Sequence, residues 1–235
     1  MLQRMRTPVP AYTLRHTGRR RSLALVVLPD GSLEVRAPKW VKRPMIEQFV
    51  RERTPWIEKK RAERDTLPRV EPRRWQTGDI FYFYGQSHTL EVIAGSRVSV
   101  RLAGGKIILT QQDPQNTTRV RHNLMNWFKE EAYQHFLPVL YKHADRMGEK
   151  PPKLLISIAK QRWGSCLASR REIRLSIRLL MAPQDVQEYV MIHELAHLKH
   201  MNHGNRFWAR VAAYSPNWEE HEKALRDHNS AWVFD

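Results

Sequence analysis

Cysteine is nearly missing from this chain of 235 residues: there is one, Cys166. A single thiol excludes an internal disulfide framework. Long apolar runs are missing as well. The longest aliphatic stretch runs from Leu23 to Leu28, far short of the roughly 20 residues that cross a bilayer. The first ten residues lack the apolar core of a signal peptide. Together these features point to a cytoplasmic protein with no membrane partner. Acidic residues are scarce: 24 Asp and Glu face 40 Lys and Arg, a net charge of +16. The imbalance is uneven, because residues 1–75 hold 19 basic against 8 acidic side chains, or +11, and the other 160 residues add only +5. A basic half of this kind suits nucleic acid or another polyanion such as a ribosome surface. The plainer reading is a solvated basic surface, since no nucleic-acid motif accompanies the charge.

What the chain does have is concentrated between Pro183 and Trp208. His193-Glu194-Leu195-Ala196-His197 has the spacing HExxH. On a helix, residues i and i+4 share a face, so His193 and His197 can hold one metal. Glu194 lies about 100° around the helix and can reach a water beside that metal without being a ligand. The motif alone occurs by chance, so its surroundings matter. Pro183 suits a first helical turn, and Asp185 puts a negative charge near the helix N-terminus. Apolar residues flank the helix on both sides, as in a buried helix. Buried His and Glu need partners, and a metal would supply them. Asn202 and Gly204 tolerate a left-handed backbone, so the helix is expected to stop there. His203 in that turn is the favoured third ligand. His200 competes for the role from one turn further along the helix, and Glu219 or Glu222 from downstream.

At these residues the chain resembles the YgjP-like metallopeptidases, relatives of the SprT-like and WLM zinc proteases. The likeness rests on the run from His193 to Trp208, on Arg162-Trp163-Gly164-Ser165-Cys166, on Ile173-Arg174-Leu175, and on Asp30-Gly31 followed by Val35-Arg36-Ala37-Pro38. The resemblance implies one zinc ion per chain on His193, His197 and His203, with Glu194 as catalytic base and a peptide or protein as substrate. It also implies that one of two expected strands, Lys153–Ala159 or Glu172–Ser176, borders the cleft. It leaves the particular substrate open. Two alternatives from other classes stand beside it: a metal-dependent hydrolase of nucleotides or phosphate esters, and a nucleic-acid-associated protein in which zinc is structural. Structural zinc usually takes four protein ligands, and the sequence offers three convincing ones.

The rest of the chain reads as an α+β protein, with a β-rich basic N-terminal region and a zincin-like catalytic domain. We expect N-terminal strands and helices over 1–75, a β meander over 76–112 and the catalytic domain over 113–235. Residues 1–10 read as a loose arm and Leu67–Trp75 as a linker. Asp30-Gly31 signals a hairpin, and Pro55 should divide the segment Pro44–Arg64 into two helices. A helical pattern covers Gln115–Met147, with His122, His135 and His143 read as structural or exposed. Lys153–Ala159 and Glu172–Ser176 read as strands. Arg162 fits a structural ion pair better than an oxyanion contact, and Cys166 fits a buried, inert thiol. Tyr214 and His221 are polar candidates near the site with no spacing that demands a role.

Overall fold

The computed structural model describes residues 9–18, 22–28, 31–65 and 73–234, apart from the side chains of residues 61 and 63–65. The expected arm over residues 1–8, the run Arg19-Arg20-Arg21, Asp30 of the hairpin signal and most of the expected linker lie outside the described residues. The chain forms two compact units, Met1–Arg69 and Val70–Asp235.

In the first unit β1 (Thr13–His16), β2 (Ala24–Val27) and β3 (Leu33–Ala37) form one sheet in the order β1-β3-β2. Gly31 takes a φ of 83° and lets β2 turn back antiparallel on β3, Val27 opposite Leu33. Alternate residues of β3 (Leu33, Val35 and Ala37) are buried. They meet Ile46 and Val50 of α1 (Arg43–Glu52) and Ile57 of α2 (Thr54–Asp65) in a small core. Pro55 falls in the first turn of α2, where its missing N–H costs nothing, and the two helices divide just before it.

The second unit opens with β4 (Ile80–Phe83), β5 (Gln86–Ala94), β6 (Ser99–Ala103) and β7 (Lys106–Gln111). Their order is β4-β5-β7-β6, which corrects the expected meander: β5 pairs in parallel with β7. Packing explains the exchange. Leu90 and Val92 of β5 stand opposite Ile107 and Leu109 of β7, and all four are buried. Largely exposed β6 takes the edge. The long helix α3 (Thr117–Arg146) is capped by Asn116, whose side chain accepts from the Arg119 N–H at 3.0 Å. Its buried residues Val120, Leu124, Phe128, Ala132, Phe136, Leu140 and Ala144 recur every four positions. That spacing drifts by about 40° per repeat, so the buried face winds around the helix. One end packs under β6 and β7, the other under β8 and α4.

A second sheet, β8 (Lys153–Ser157), β9 (Gly164–Leu167) and β10 (Glu172–Ser176), has the order β8-β10-β9 and leaves β9 at an edge. A buried 3-10 turn over Ile177–Met181 leads from β10 to α4 (Gln184–Ala196), followed by α5 (Asn205–Tyr214) and α6 (Trp218–Asp227). The β4–β5 turn fixes the start of α4: Tyr84 and Gly85 donate their N–H groups to Leu180 and Met181 carbonyls at 2.9 and 3.0 Å. Arg178 in the 3-10 turn is buried with no carboxylate partner among the described residues. Its guanidinium instead donates to the Trp232 carbonyl at 2.7 Å, to Asn229 at 2.9 Å and to the Lys160 carbonyl, and it lies 4.2 Å from the Trp163 ring centroid. These bonds tie down the C-terminal segment, where Trp232 and Phe234 are buried. The fold is α+β. Among the described residues no helix is long and apolar enough to cross a membrane.

Candidate metal centre

α4 is shorter than its sequence pattern. It ends at Ala196, with His197 as its cap. Gly204 does not end it with a left-handed residue, as the sequence reading expected; Gly204 is extended (φ −85°, ψ −178°) and starts α5 instead. Asn202 is not left-handed either. The Leu198, Lys199 and His200 N–H groups close a tight turn onto Leu195 and Ala196 carbonyls. That turn swings the chain back, so His203 returns over the helix face it has just left.

His193, His197 and His203 thus converge, with one ring nitrogen from each within 4.8 Å of the others. Among the described residues this is the one group of three metal-capable side chains, and neither Glu219 nor Glu222 joins it. His193 Nε2 and His203 Nε2 stand 3.2 Å apart. His197 Nδ1 lies 3.0 Å from the His200 carbonyl oxygen, which only accepts, so Nδ1 carries the proton and Nε2 presents a lone pair. His200 therefore contributes through its backbone and is not a member of the group. His193 Nδ1 is buried with no hydrogen-bond partner among the described residues. Burial pushes the His193 pKa down to about 3, helped by the neighbouring imidazoles, and it lowers that of His197 too. Two imidazoles held neutral by burial, with a ring nitrogen of a third within 4.8 Å of theirs, are a donor set that suits a divalent cation, so the residues present fit a metal.

Aromatic side chains brace this cluster. Buried Phe207 meets all three imidazoles, at centroid distances of 4.9 Å to His193, 4.6 Å to His197 and 4.7 Å to His203. The His203 ring is exposed, yet it stacks on Trp208 at 5.7 Å and 27°. Trp208 stacks in turn on Trp218 of α6 at 4.2 Å and 25°.

Glu194 is 6% exposed and lies against β9. A Cβ on Gly164 would stand 2.6 Å from Glu194 Oε1, 2.7 Å from Cγ and 2.9 Å from Cδ. Only glycine admits the carboxylate this close to the strand. Burial pushes the Glu194 pKa up to about 8, while the positive charge of Arg162 pulls the other way. Arg162 is exposed and makes no ion pair among the described residues, contrary to the structural pair expected for it. The half-buried Cys166 thiol is pushed up to about 11, first by burial and then by the Glu194 charge, so it stays protonated at neutral pH.

Of the other polar candidates, His221 is occupied elsewhere. Its Nδ1 meets Ser215 Oγ at 3.3 Å and its Nε2 meets Asp185 at 3.5 Å, linking α6 to the first turn of α4. Tyr214 has the Arg210 guanidinium 6.0 Å from its ring. His143 is buried and meets Glu188 of α4 at 2.9 Å. The contacts of Gly164, Phe207 and Trp218 with the site are not readable from sequence spacing. The nearest signal is the glycine in Arg162–Cys166 beside an expected strand.

Three converging imidazoles next to a buried carboxylate suit metal-dependent hydrolysis. The chain belongs to the YgjP-like metallopeptidase family, whose domain model matches residues 21–228. Membership makes it a metal-dependent peptidase in class, acting on peptide or protein. Among solved structures it is similar to the metallopeptidase zymogen abylysin of Pyrococcus abyssi, at 28% identity and a TM-score of 0.36, over 37% of this chain and 89% of that one. It is also similar to the zymogen jannalysin of Methanocaldococcus jannaschii, at 20% identity and a TM-score of 0.34, over 37% and 90%. No curated protein matches the chain.

Proposed function

We propose that this chain hydrolyses peptide bonds with one zinc ion on His193, His197 and His203 and with Glu194 as general base. The observation that carries the reading is the convergence of three imidazole nitrogens within 4.8 Å, from His193 on α4, His197 at its cap and His203 in the turn beyond, beside the buried Glu194 carboxylate. Imidazoles are borderline donors that suit zinc, and three of them leave a fourth position open, as catalytic zinc requires. When bound, the metal supplies Lewis acidity toward a water and the scissile carbonyl. Glu194 takes the proton of the attacking water and delivers it to the leaving amine. Burial raises the hold of that carboxyl on the proton it carries between those two events, and the charge of a cation bound beside it would favour the carboxylate that begins the cycle. Edge strand β9, which abuts Glu194, offers main-chain groups to an extended substrate.

Elemental mass spectrometry of the purified protein, paired with hydrolysis of unfolded casein, tests this. About one zinc per chain is expected in the wild type and in Glu194→Gln, and far less in His193→Ala and His203→Ala. Glu194→Gln should not hydrolyse casein. A wild type that takes up no zinc on reconstitution, or full turnover by Glu194→Gln, overturns the proposal.

A further inference from the structure

The N-terminal unit carries an exposed surface and contributes no residue to the histidine group. β1 and β3 run parallel with His16 opposite Ala37, and the Thr17 N–H donates to the Ala37 carbonyl at 3.0 Å. That end of the sheet therefore receives Arg15 and His16 from β1. From the turn after β3 it also receives Lys39, Trp40, Lys42 and Arg43. All six are exposed. Trp40 is 68% exposed, more than any other large hydrophobic side chain among the described residues. The core of the unit closes without it, since Val41, Ile46 and Val50 just beyond it are buried. The sequence of the unit is strongly basic: residues 1–69 hold 17 Lys and Arg against 7 Asp and Glu. Arg43 has an exposed ion pair with Glu47 at 2.9 Å, which holds it weakly. Arg15, Lys39 and Lys42 have no carboxylate partner among the described residues.

We propose that this surface binds single-stranded nucleic acid, with an unpaired base stacked on Trp40 and flanking phosphates on Arg15, Lys39 and Lys42. Every base offers a π-face to an exposed indole, and cations beside it track the backbone, so the pairing needs no sequence motif. A duplex keeps its base faces stacked internally and offers the indole nothing. An anionic bilayer fits less well. Leu14, Met45 and Trp56 of the unit are exposed as well, but the apolar stripe Ile46, Val50 and Ile57 of α1 and α2 points into the unit, so the two helices keep no inserting face of their own.

Fluorescence anisotropy of the full chain with labelled oligo-dT and oligo-U of about 20 nucleotides tests this, with a duplex of the same length for comparison. At least one single strand should bind more tightly than the duplex, and the stronger of the two identifies the polymer. Trp40→Ala should weaken binding about 5- to 100-fold, and Trp40→Phe should restore most of it. Lys42→Ala should reduce the slope of log K against log salt by about 0.7, whereas Trp40→Ala should leave that slope unchanged. Casein hydrolysis should be unaltered in all three variants. Circular dichroism checks that the folded unit survives loss of an exposed side chain. Wild-type affinity in Trp40→Ala overturns the proposal, as does duplex binding equal to single-strand binding. Binding to phosphatidylglycerol vesicles without binding to either oligomer does so too, and assigns the surface to anionic membrane.

Discussion

Replacing Gly164 by alanine sets one methyl group against the Glu194 carboxylate. The new carbon would stand 2.6 Å from Oε1 and 2.7 Å from Cγ, where ordinary contact distances are about 3.5–4.0 Å. Glu194 must therefore move by about 1 Å, in a site where it is almost fully buried. Overpacking of this kind costs about 1–3 kcal/mol. The backbone itself raises no objection, because Gly164 is not left-handed. Where space allows, alanine for glycine stabilises by about 0.4–1 kcal/mol through the unfolded chain. Glu194→Ala removes the three atoms nearest the new methyl group. Urea unfolding should thus find Gly164→Ala destabilising in the wild type, but neutral or stabilising in the Glu194→Ala background. A misplacement of about 1 Å should also reduce casein turnover roughly 100-fold, with metal content unchanged. An equal stability penalty in both backgrounds refutes the contact. Undiminished turnover in a variant that shows the penalty refutes the idea that β9 positions the base.

Two further predictions concern the supports of the site. Trp218→Ala removes the outer plate of the stack behind His203, and metal affinity by chelator competition should fall about 10-fold or more. In a His203→Ala background the same change should do nothing further, and an undiminished effect there shows that Trp218 acts by another route. Burial lowers the pKa of His143 from its ordinary value of 6.5, so at neutral pH the folded protein holds it uncharged. Below about pH 6.5 the unfolded chain binds this proton and the folded chain resists it, so stability is intact above that pH and falls on acidification. His143→Gln can keep a donor to Glu188 without titrating. It should flatten the urea midpoint against pH below 6.5, by at most about 1.4 kcal/mol per pH unit, and a profile parallel to wild type contradicts the assignment.

Much of the site is legible in the sequence, because its first half is local. His193, Glu194 and His197 owe their arrangement to helical spacing alone, and the hairpin at Gly31 and the division of helices at Pro55 are equally local. The illegible parts are those that depend on distant partners. Gly164-Ser165-Cys166-Leu167 has no run of strong strand formers, and β9 exists because β10 pairs with it, Cys166 opposite Ile173. The exchange of β5 and β7 depends on which apolar faces meet at the centre of the sheet, a choice hairpin turns do not encode. The helix stops at Ala196 in a stretch without glycine or proline, where the tight turn and the His197–His200 contact outweigh propensity.

The two kinds of information divide the work of the site. Local sequence supplies chemistry: two imidazoles and a carboxylate within five residues. Tertiary structure supplies precision. His203 is exposed and sits outside the helix, so on its own it would lose side-chain entropy each time it met a metal. Phe207 beneath it and the Trp208–Trp218 stack beside it restrict the ring before any metal arrives. Glu194 is restrained in the opposite way, by burial against the one residue of β9 that has no side chain. With His203 as the proposed ligand and Glu194 as the proposed base, bracing the one and confining the other holds the reacting groups in place in advance, and metal binding then costs little reorganisation.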